Sequence, residues 1–359
     1  MQTALRSPAL PHIGNLSAGA RNAITDVAGV TVGHCTLDDG GVQTGVTVLR
    51  PHAGDLFRDR VPAAAVVLNG FGKSVGLVQV EELGVLETPI ALTNTFSVGT
   101  VATAQVRQCI ADNPGTGRQL PTVNPLVFEC NDGFLNDIQR LAVTEAHYLQ
   151  ALQACGPVVQ EGSVGAGRGM SSFQLKGGIG SASRRVPARI GGAHTVGALV
   201  LANYGRLPQL VLAGAAVGAQ LATRLAGGSA PAAPEPEKGS IILLIATDAP
   251  LDARQLRRLA LRAGAGLART GSVFGHGSGD IALAFSTAYT VPQGIDRPMP
   301  AVAMLHDALL DELFQAVADS TEQAIVHALW RARAVTGRDG HHRPALSELL
   351  APSAFPSLA

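Results

Sequence analysis

Two short stretches of this chain carry residues suited to acyl chemistry. The first is Gly239-Ser240, where a segment rich in Ala, Pro, Gly and Glu (Thr223–Lys238) runs directly into the apolar stretch Ser240–Ala246. A serine hydroxyl beside a deformable peptide bond can attack the carbonyl that precedes it. The ester so formed hydrolyses, and Ser240 becomes a new N-terminus. Its α-amine, with an ordinary pKa near ~7.7–8.0, can then act as base for its own hydroxyl. Such a nucleophile needs no histidine. The second stretch is Gly275-His276-Gly277-Ser278-Gly279-Asp280, at the entrance to the strand-like run Ile281–Ser286. A Ser and an Asp two residues apart, set among glycines, suit a proton relay. They also suit a plain polar turn.

Other candidates are weaker. Gly72-Lys73-Ser74-Val75-Gly76 fits the G-x-S-x-G nucleophile elbow, but with 42 glycines in the chain a glycine-rich turn explains it better. A phosphate-loop reading of the same residues fails, because Val67 stands where the first glycine belongs. Gly162–Gly169 is so dense in glycine that its backbone must pass close to a ligand or another strand. No convincing helix or acidic residue follows it, so it makes a poor dinucleotide fingerprint. The ten histidines form no H-E-x-x-H and no paired Cys/His spacing, so neither a metal site nor a cofactor is expected. Glu129 ends the apolar run Leu126-Val127-Phe128 just before the turn Asn131-Asp132-Gly133, which places a carboxylate where a strand end opens into a site.

These residues must be held by a large folded body. The chain has 359 residues, a mean hydropathy of +0.23 and equal numbers of basic and acidic residues, 27 of each. It therefore has no net field to gather nucleic acid or an anionic membrane. Aromatic residues are 4%, too few for a base-stacking platform. Cys35, Cys109, Cys130 and Cys155 lack C-x-x-C spacing and read as reduced thiols. The N-terminus lacks a continuous apolar core, and Leu207–Thr223 is short for a bilayer span and reads as a buried strand plus turn. A cytoplasmic protein is expected.

Periodicity supplies the elements. Ala23–Cys35 and Thr44–Leu49 read as strands of a hairpin about Asp38-Asp39-Gly40-Gly41. Ala63–Asn69, Pro89–Thr95, Val196–Ala202, Gln209–Leu212, Ser240–Ala246 and Asp280–Thr287 read as further strands. Val75–Leu83, Val98–Ile110, Leu141–Ala154 and Val302–Ala334 read as helices. So does the stretch from Pro250 to Ala268, with Asp248 as its cap. The mixture implies an α/β or α+β fold.

Taken together, Gly239-Ser240-Ile241-Ile242, Ala246-Thr247-Asp248-Ala249-Pro250-Leu251 and Gly275–Ile281 with Ala284-Phe285-Ser286-Thr287 resemble the self-processing serine aminopeptidases, peptidase family S58. That family contains L-aminopeptidase/D-esterase/amidase and the β-peptidyl aminopeptidases. Asn69-Gly70, Asn131-Asp132-Gly133, Lys176-Gly177-Gly178-Ile179-Gly180, Ala202-Asn203-Tyr204-Gly205 and Thr336–His341 extend the likeness over roughly residues 13–342. The resemblance implies a four-layer αββα sandwich, like that of the N-terminal-nucleophile hydrolases, in one domain over residues 1–359. It implies a self-made cut into residues 1–239 and 240–359, with 223–238 as a flexible linker.

By the same resemblance Ser240 is nucleophile and base, and Ser278 with Asp280 orients its amine. Asn203 donates to the oxyanion, and Glu129, with Asn131 nearby, holds the free amine of a small peptide, amide or ester. A homotetramer of αβ units is implied. Three departures bear on substrate range: Asn131 where some members carry an aromatic residue, Phe134 where relatives often have Tyr, and His327 in place of an Asn in the last helix. The alternatives are an endo-amidase or acyltransferase with the same nucleophile, an uncleaved non-catalytic binding protein, and an α/β-hydrolase built on Ser74.

Overall fold

A computed structural model describes residues 10–189, 192–225 and 239–350. Nine strands build two sheets. They are β1 (Thr31–Asp39), β2 (Val42–Arg50), β3 (Asp59–Gly70), β4 (Ile90–Asn94), β5 (Leu126–Cys130), β6 (Gly178–Pro187), β7 (Ala193–Asn203), β8 (Ser240–Thr247) and β9 (Gly279–Ser286). The smaller sheet has the order β1-β2-β4-β5. The larger runs β3-β9-β8-β7-β6, extended beyond β3 by the short strand Val291–Pro292, with Val85–Leu86 also paired to β3. The α-helices longer than one turn among the described residues are α1 (Leu77–Leu83), α2 (Val98–Asp112), α3 (Glu145–Gln153), α4 (Gly218–Leu225), α5 (Ala253–Ala268) and α6 (Leu310–Arg331), and a single turn, Leu346–Leu349, follows.

The period of two along the strands decides the layers. In β8, Ile241, Leu243 and Ile245 join a core with Leu256, Leu259 and Ala263 of α5 and Val317, Ala324 and Ala328 of α6. The alternate residues Ile242, Leu244 and Ala246 face the other sheet and meet Ile90, Leu92, Leu126 and Phe128. The outer face of the small sheet, with Val46, Val48, Ala91 and Val127, packs on Val101 and Ala104 of α2 and Tyr148 and Ala151 of α3. Helices, sheet, sheet and helices thus stack as four layers, as the family resemblance implied. Both faces of β8 are buried, which is why it reads as an unbroken apolar run.

Several sequence expectations need correction. The first strand begins at Thr31, since Ile24–Asp26 is one 3-10 turn. The cap of α5 is Asp252, whose carboxylate accepts from Gln255 N at 2.7 Å, whereas Asp248 accepts from Thr195 N. Leu207–Thr223, expected as a buried strand plus turn, is a 3-10 turn, a hairpin of two two-residue strands and the first part of α4. Thr223–Leu225, expected in the linker, form the last turn of α4, and residues 226–238 lie outside the described residues. Val302–Ala334, read as one or two helices, holds the single helix α6, which starts only at Leu310 after the 3-10 turn Asp307–Leu309. No helix among the described residues is long and apolar enough to cross a membrane.

Strand β6 went unread in the sequence, and α6 explains why. The helix lies so close to it that a Cβ on Gly180 would stand 1.9 Å from Ala324 O and 2.5 Å from Ala328 N. Gly180→Ala should therefore force helix and sheet apart, at about 1–3 kcal/mol by urea denaturation. Gly99, on α2 with nothing near its missing Cβ, is the control. Gly99→Ala should be neutral or stabilising by up to ~1 kcal/mol.

Candidate active site

One end of the large sheet gathers the residues that the sequence singled out. Ser240 is the first residue of β8 and pairs with Asn203, the last residue of the antiparallel neighbour β7. On its other side it pairs with Gly279, the first residue of the parallel neighbour β9. Asp280 faces Asn69 near the end of β3. A parallel pair flanked by two antiparallel strands thus brings two strand starts and two strand ends to one edge.

At that edge a single backbone N–H serves two oxygens. Gly279 N lies 3.1 Å from Ser240 Oγ and 3.3 Å from the carbonyl oxygen of Gly239. Ser278 Oγ donates to Asp280 Oδ1 at 2.5 Å, and both residues are fully buried. The loop before them is pinned by Asn69, whose Nδ2 donates to the carbonyls of Gly275, at 2.9 Å, and of Ser278. Asn203 is held at both ends of its amide. Its Oδ1 accepts from Ser171 N at 2.8 Å, and its Nδ2 donates to Asn131 O at 3.1 Å. An amide nitrogen has two hydrogens, so one remains for a substrate.

Glu129 is no surface residue. It is 3% exposed, accepts from Lys73 N at 2.8 Å through Oε1 and from the Thr95 hydroxyl through Oε2. A Cβ on Gly72 would lie 3.6 Å from Glu129 Oε1 and 3.9 Å from Gly279 Cα. The loop Phe71-Gly72-Lys73 therefore bridges the carboxylate to the Ser240 end of the sheet. Beneath it sits Cys130, whose thiol pKa is raised well above the usual range, by burial first and then by Glu129, Asp280 and Asp132. Asn131 contributes its backbone carbonyl to Asn203, while its exposed side chain accepts from Gly133 N at 2.9 Å and shapes its own turn.

The other motifs are structural. Ser74 Oγ is buried and makes no hydrogen bond, and its neighbour Val75 bridges to Val127. The elbow is a turn that walls the site. The glycines of 162–169 approach another strand: Gly162 bridges Ile179 of β6, and Cβ atoms there would meet backbone at under 3 Å. His327 donates from Nδ1 to Ser181 O at 2.7 Å and so stitches α6 to β6, away from Ser240.

Sequence reading missed two buried charges that hold this end together. Lys176 is wholly buried and donates to the carbonyls of Gly167, Met170 and Gly177 at 2.8, 2.9 and 2.8 Å. Burial and Arg168 lower its pKa well below the usual lysine range, while Asp132 raises it. Three carbonyl acceptors match the three hydrogens of an ammonium, so the geometry favours the charged form. This clasp fixes the loop that presents Ser171 N to Asn203. The signal was the lysine itself, a costly residue inside Gly-rich sequence.

Asp132 lies beneath the same loop, with Asn136 Nδ2 on its Oδ1 at 3.0 Å. Burial above all pushes its pKa up to about 7. The unfolded chain releases this proton near ~pH 3.9. Between the two values the folded state holds a proton that the unfolded state has lost, so stability falls as pH rises from about 4 to about 7. Asp132→Asn should abolish that loss. In urea denaturation at about pH 4.5 and about pH 7.5, variant stability minus wild-type stability should grow by roughly 2–4 kcal/mol with rising pH. A constant difference would show that Asp132 titrates as in the unfolded chain.

Comparison with known proteins agrees with this architecture. The sequence profile of peptidase family S58 matches residues 22–343. A β-peptidyl aminopeptidase of Sphingosinicella microcystinivorans is 42% identical over 342 residues, covering 90% of this chain and 85% of the relative. The crystal structure of a protein from Pyrococcus horikoshii superimposes with a TM-score of 0.88 at 46% identity, covering 95% of this chain and 96% of the other. The L-aminopeptidase D-Ala-esterase/amidase of Ochrobactrum anthropi, a prototype for the serine aminopeptidases, superimposes with a TM-score of 0.85 at 36% identity. That match covers 94% of this chain and 93% of the other, whose fold is described as a new variant of the Ntn-hydrolase fold. With four layers, two buried sheets, Ser240 at one end of the larger of them and a profile match over residues 22–343, this chain belongs to peptidase family S58.

Proposed function

We propose that this chain is a self-processing N-terminal-serine aminopeptidase, releasing an unblocked N-terminal residue from small peptides, amides or esters. The observation that carries the reading is the Gly279 N–H placed at both Ser240 Oγ and Gly239 O. Self-cleavage must bring those two oxygens onto one tetrahedral carbon. A donor touching both stabilises the charge that develops there. Cleavage then leaves Ser240 with a free α-amine at the start of β8.

In turnover Ser240 Oγ attacks the substrate carbonyl while its amine takes the proton. Ser278 and Asp280 orient that amine. Gly279 N–H and the second hydrogen of Asn203 Nδ2 receive the oxyanion. The leaving amine takes a proton, and water then releases the acyl group from Ser240. Glu129 pairs with the substrate's ammonium, a role suited to a carboxylate fixed by two donors. A homotetramer of αβ units in the cytoplasm is part of the same proposal.

Denaturing electrophoresis of fresh enzyme should give pieces of 239 and 120 residues, the smaller beginning Ser240-Ile241-Ile242. Ser240→Ala should stay whole and inactive, and Ser74→Ala should be cut and active. An active protein that remains a single chain would falsify self-processing. Asp280→Asn should lower kcat by ~10²–10⁴ with KM little changed.

Free and N-acetylated aminoacyl p-nitroanilides test the role of Glu129. Wild type should prefer the free amine by ~10² or more, and Glu129→Gln should lose most activity on it. Equal wild-type rates on both substrates would favour the endo-amidase alternative.

A further inference from the structure

Beyond Asn203 lies a cation with no counter-charge among the described residues. Arg343 sits in the short strand His342–Arg343, paired with Val335–Thr336. Its Nε donates to Ser171 Oγ at 3.2 Å, and Ser171 is the residue whose N–H holds Asn203. Its guanidinium lies 3.6 Å over the Phe134 ring, and Phe134 is stacked in turn on His341 at 4.6 Å and 15°. Partial burial brings its pKa down to about 10, with no carboxylate acting on it. Among the described residues no acid lies within ion-pair distance. The nearby Arg338 is already committed to Asp339 and to Gly133 O, at 2.7 Å each.

A half-buried guanidinium is normally paired. Among the described residues only Nε has a hydrogen-bond partner, which leaves the two terminal nitrogens as a fork. That fork is the geometry that takes a carboxylate with two parallel hydrogen bonds. Its position supplies a direction. Going from Glu129 to Phe134, the chain passes from Gly72 beside Gly279, past the carbonyl that holds Asn203, to the ring under Arg343. Negative charge stands at one end of that path and positive charge at the other, with Ser240 between.

We propose that Arg343 binds the C-terminal carboxylate of the substrate, making short zwitterionic peptides, dipeptides and tripeptides with both ends free, the preferred substrate class. This rests on the aminopeptidase reading above and adds the leaving side to it. Phe134 lies under the guanidinium at 3.6 Å, which gives the Tyr-to-Phe departure a use: the ring needs its face and no hydroxyl.

The test compares three substrates sharing one N-terminal residue: a dipeptide, its C-terminal amide, and the aminoacyl p-nitroanilide. Wild type should favour the dipeptide over its amide by ~10-fold or more in kcat/KM. Arg343→Met should erase that preference, mostly through KM, lowering kcat/KM for the dipeptide at least ~10-fold more than for the amide or the p-nitroanilide. Arg343→Lys, which keeps charge without the fork, should restore part of it. Equal loss on all three substrates would reduce Arg343 to a structural support. Absence of preference in the wild type overturns the proposal without any variant. Silence of the wild type on every substrate sinks the aminopeptidase reading, and this inference with it.

Discussion

The close approach of Phe71-Gly72 to Gly279 governs this site. A Cβ on Gly279 would stand 2.7 Å from Phe71 O and 3.2 Å from Gly72 Cα, so only a bare backbone fits. That contact lays the loop across the sheet end and carries Lys73 N to Glu129. The same residue turns its own N–H onto Ser240 Oγ and Gly239 O. Proposed nucleophile, oxyanion donor and amine-binding carboxylate are thus spaced by one backbone crossing. A side chain at Gly279 would move all three.

Burial at that edge is unusual for its polarity. Ser240, Ser278, Asp280, Asn203, Glu129, Asp132 and Lys176 are all buried. A polar group left unmatched inside a protein costs about 1–3 kcal/mol, and a charge more. The structure meets most of this demand with backbone partners: carbonyls for Lys176, N–H groups for Glu129, Asn203 and Ser240. Backbone groups change little in position when a substrate arrives. Fixed dipoles of that kind favour developing charge without reorganising.

Much of this was legible in the residues, for definable reasons. β8 announced itself because both its faces meet apolar layers, and the β1–β2 hairpin because Gly40-Gly41 punctuates it. Ser278 and Asp280 were marked by the glycines around them. β6 was hidden because its neighbours demand the wrong composition. Gly180 yields room to α6, while Ser181 and Ser183 face Ile24 N and Gly19 N. Arg184 is buried against Ile13 O and Gln323. Nothing in such a run looks like a strand until the partners are known. Lys176 and Arg343 were overlooked because their meaning lies in what surrounds them: carbonyls alone for one, no acid for the other.

Strands β8 and β9 lie inside the large sheet, with β7 on one side and β3 on the other. A cut after Gly239 would therefore leave two polypeptides interleaved in a single sheet, each supplying strands that the other lacks. Neither would own a complete core. Before the cut, folding is unimolecular, and the outcome is independent of concentration. After it, recovery from denaturation requires two chains to meet, and its rate falls with dilution. The nick would thus turn a reversible fold into a kinetically trapped heterodimer, assembled once in the lifetime of the molecule.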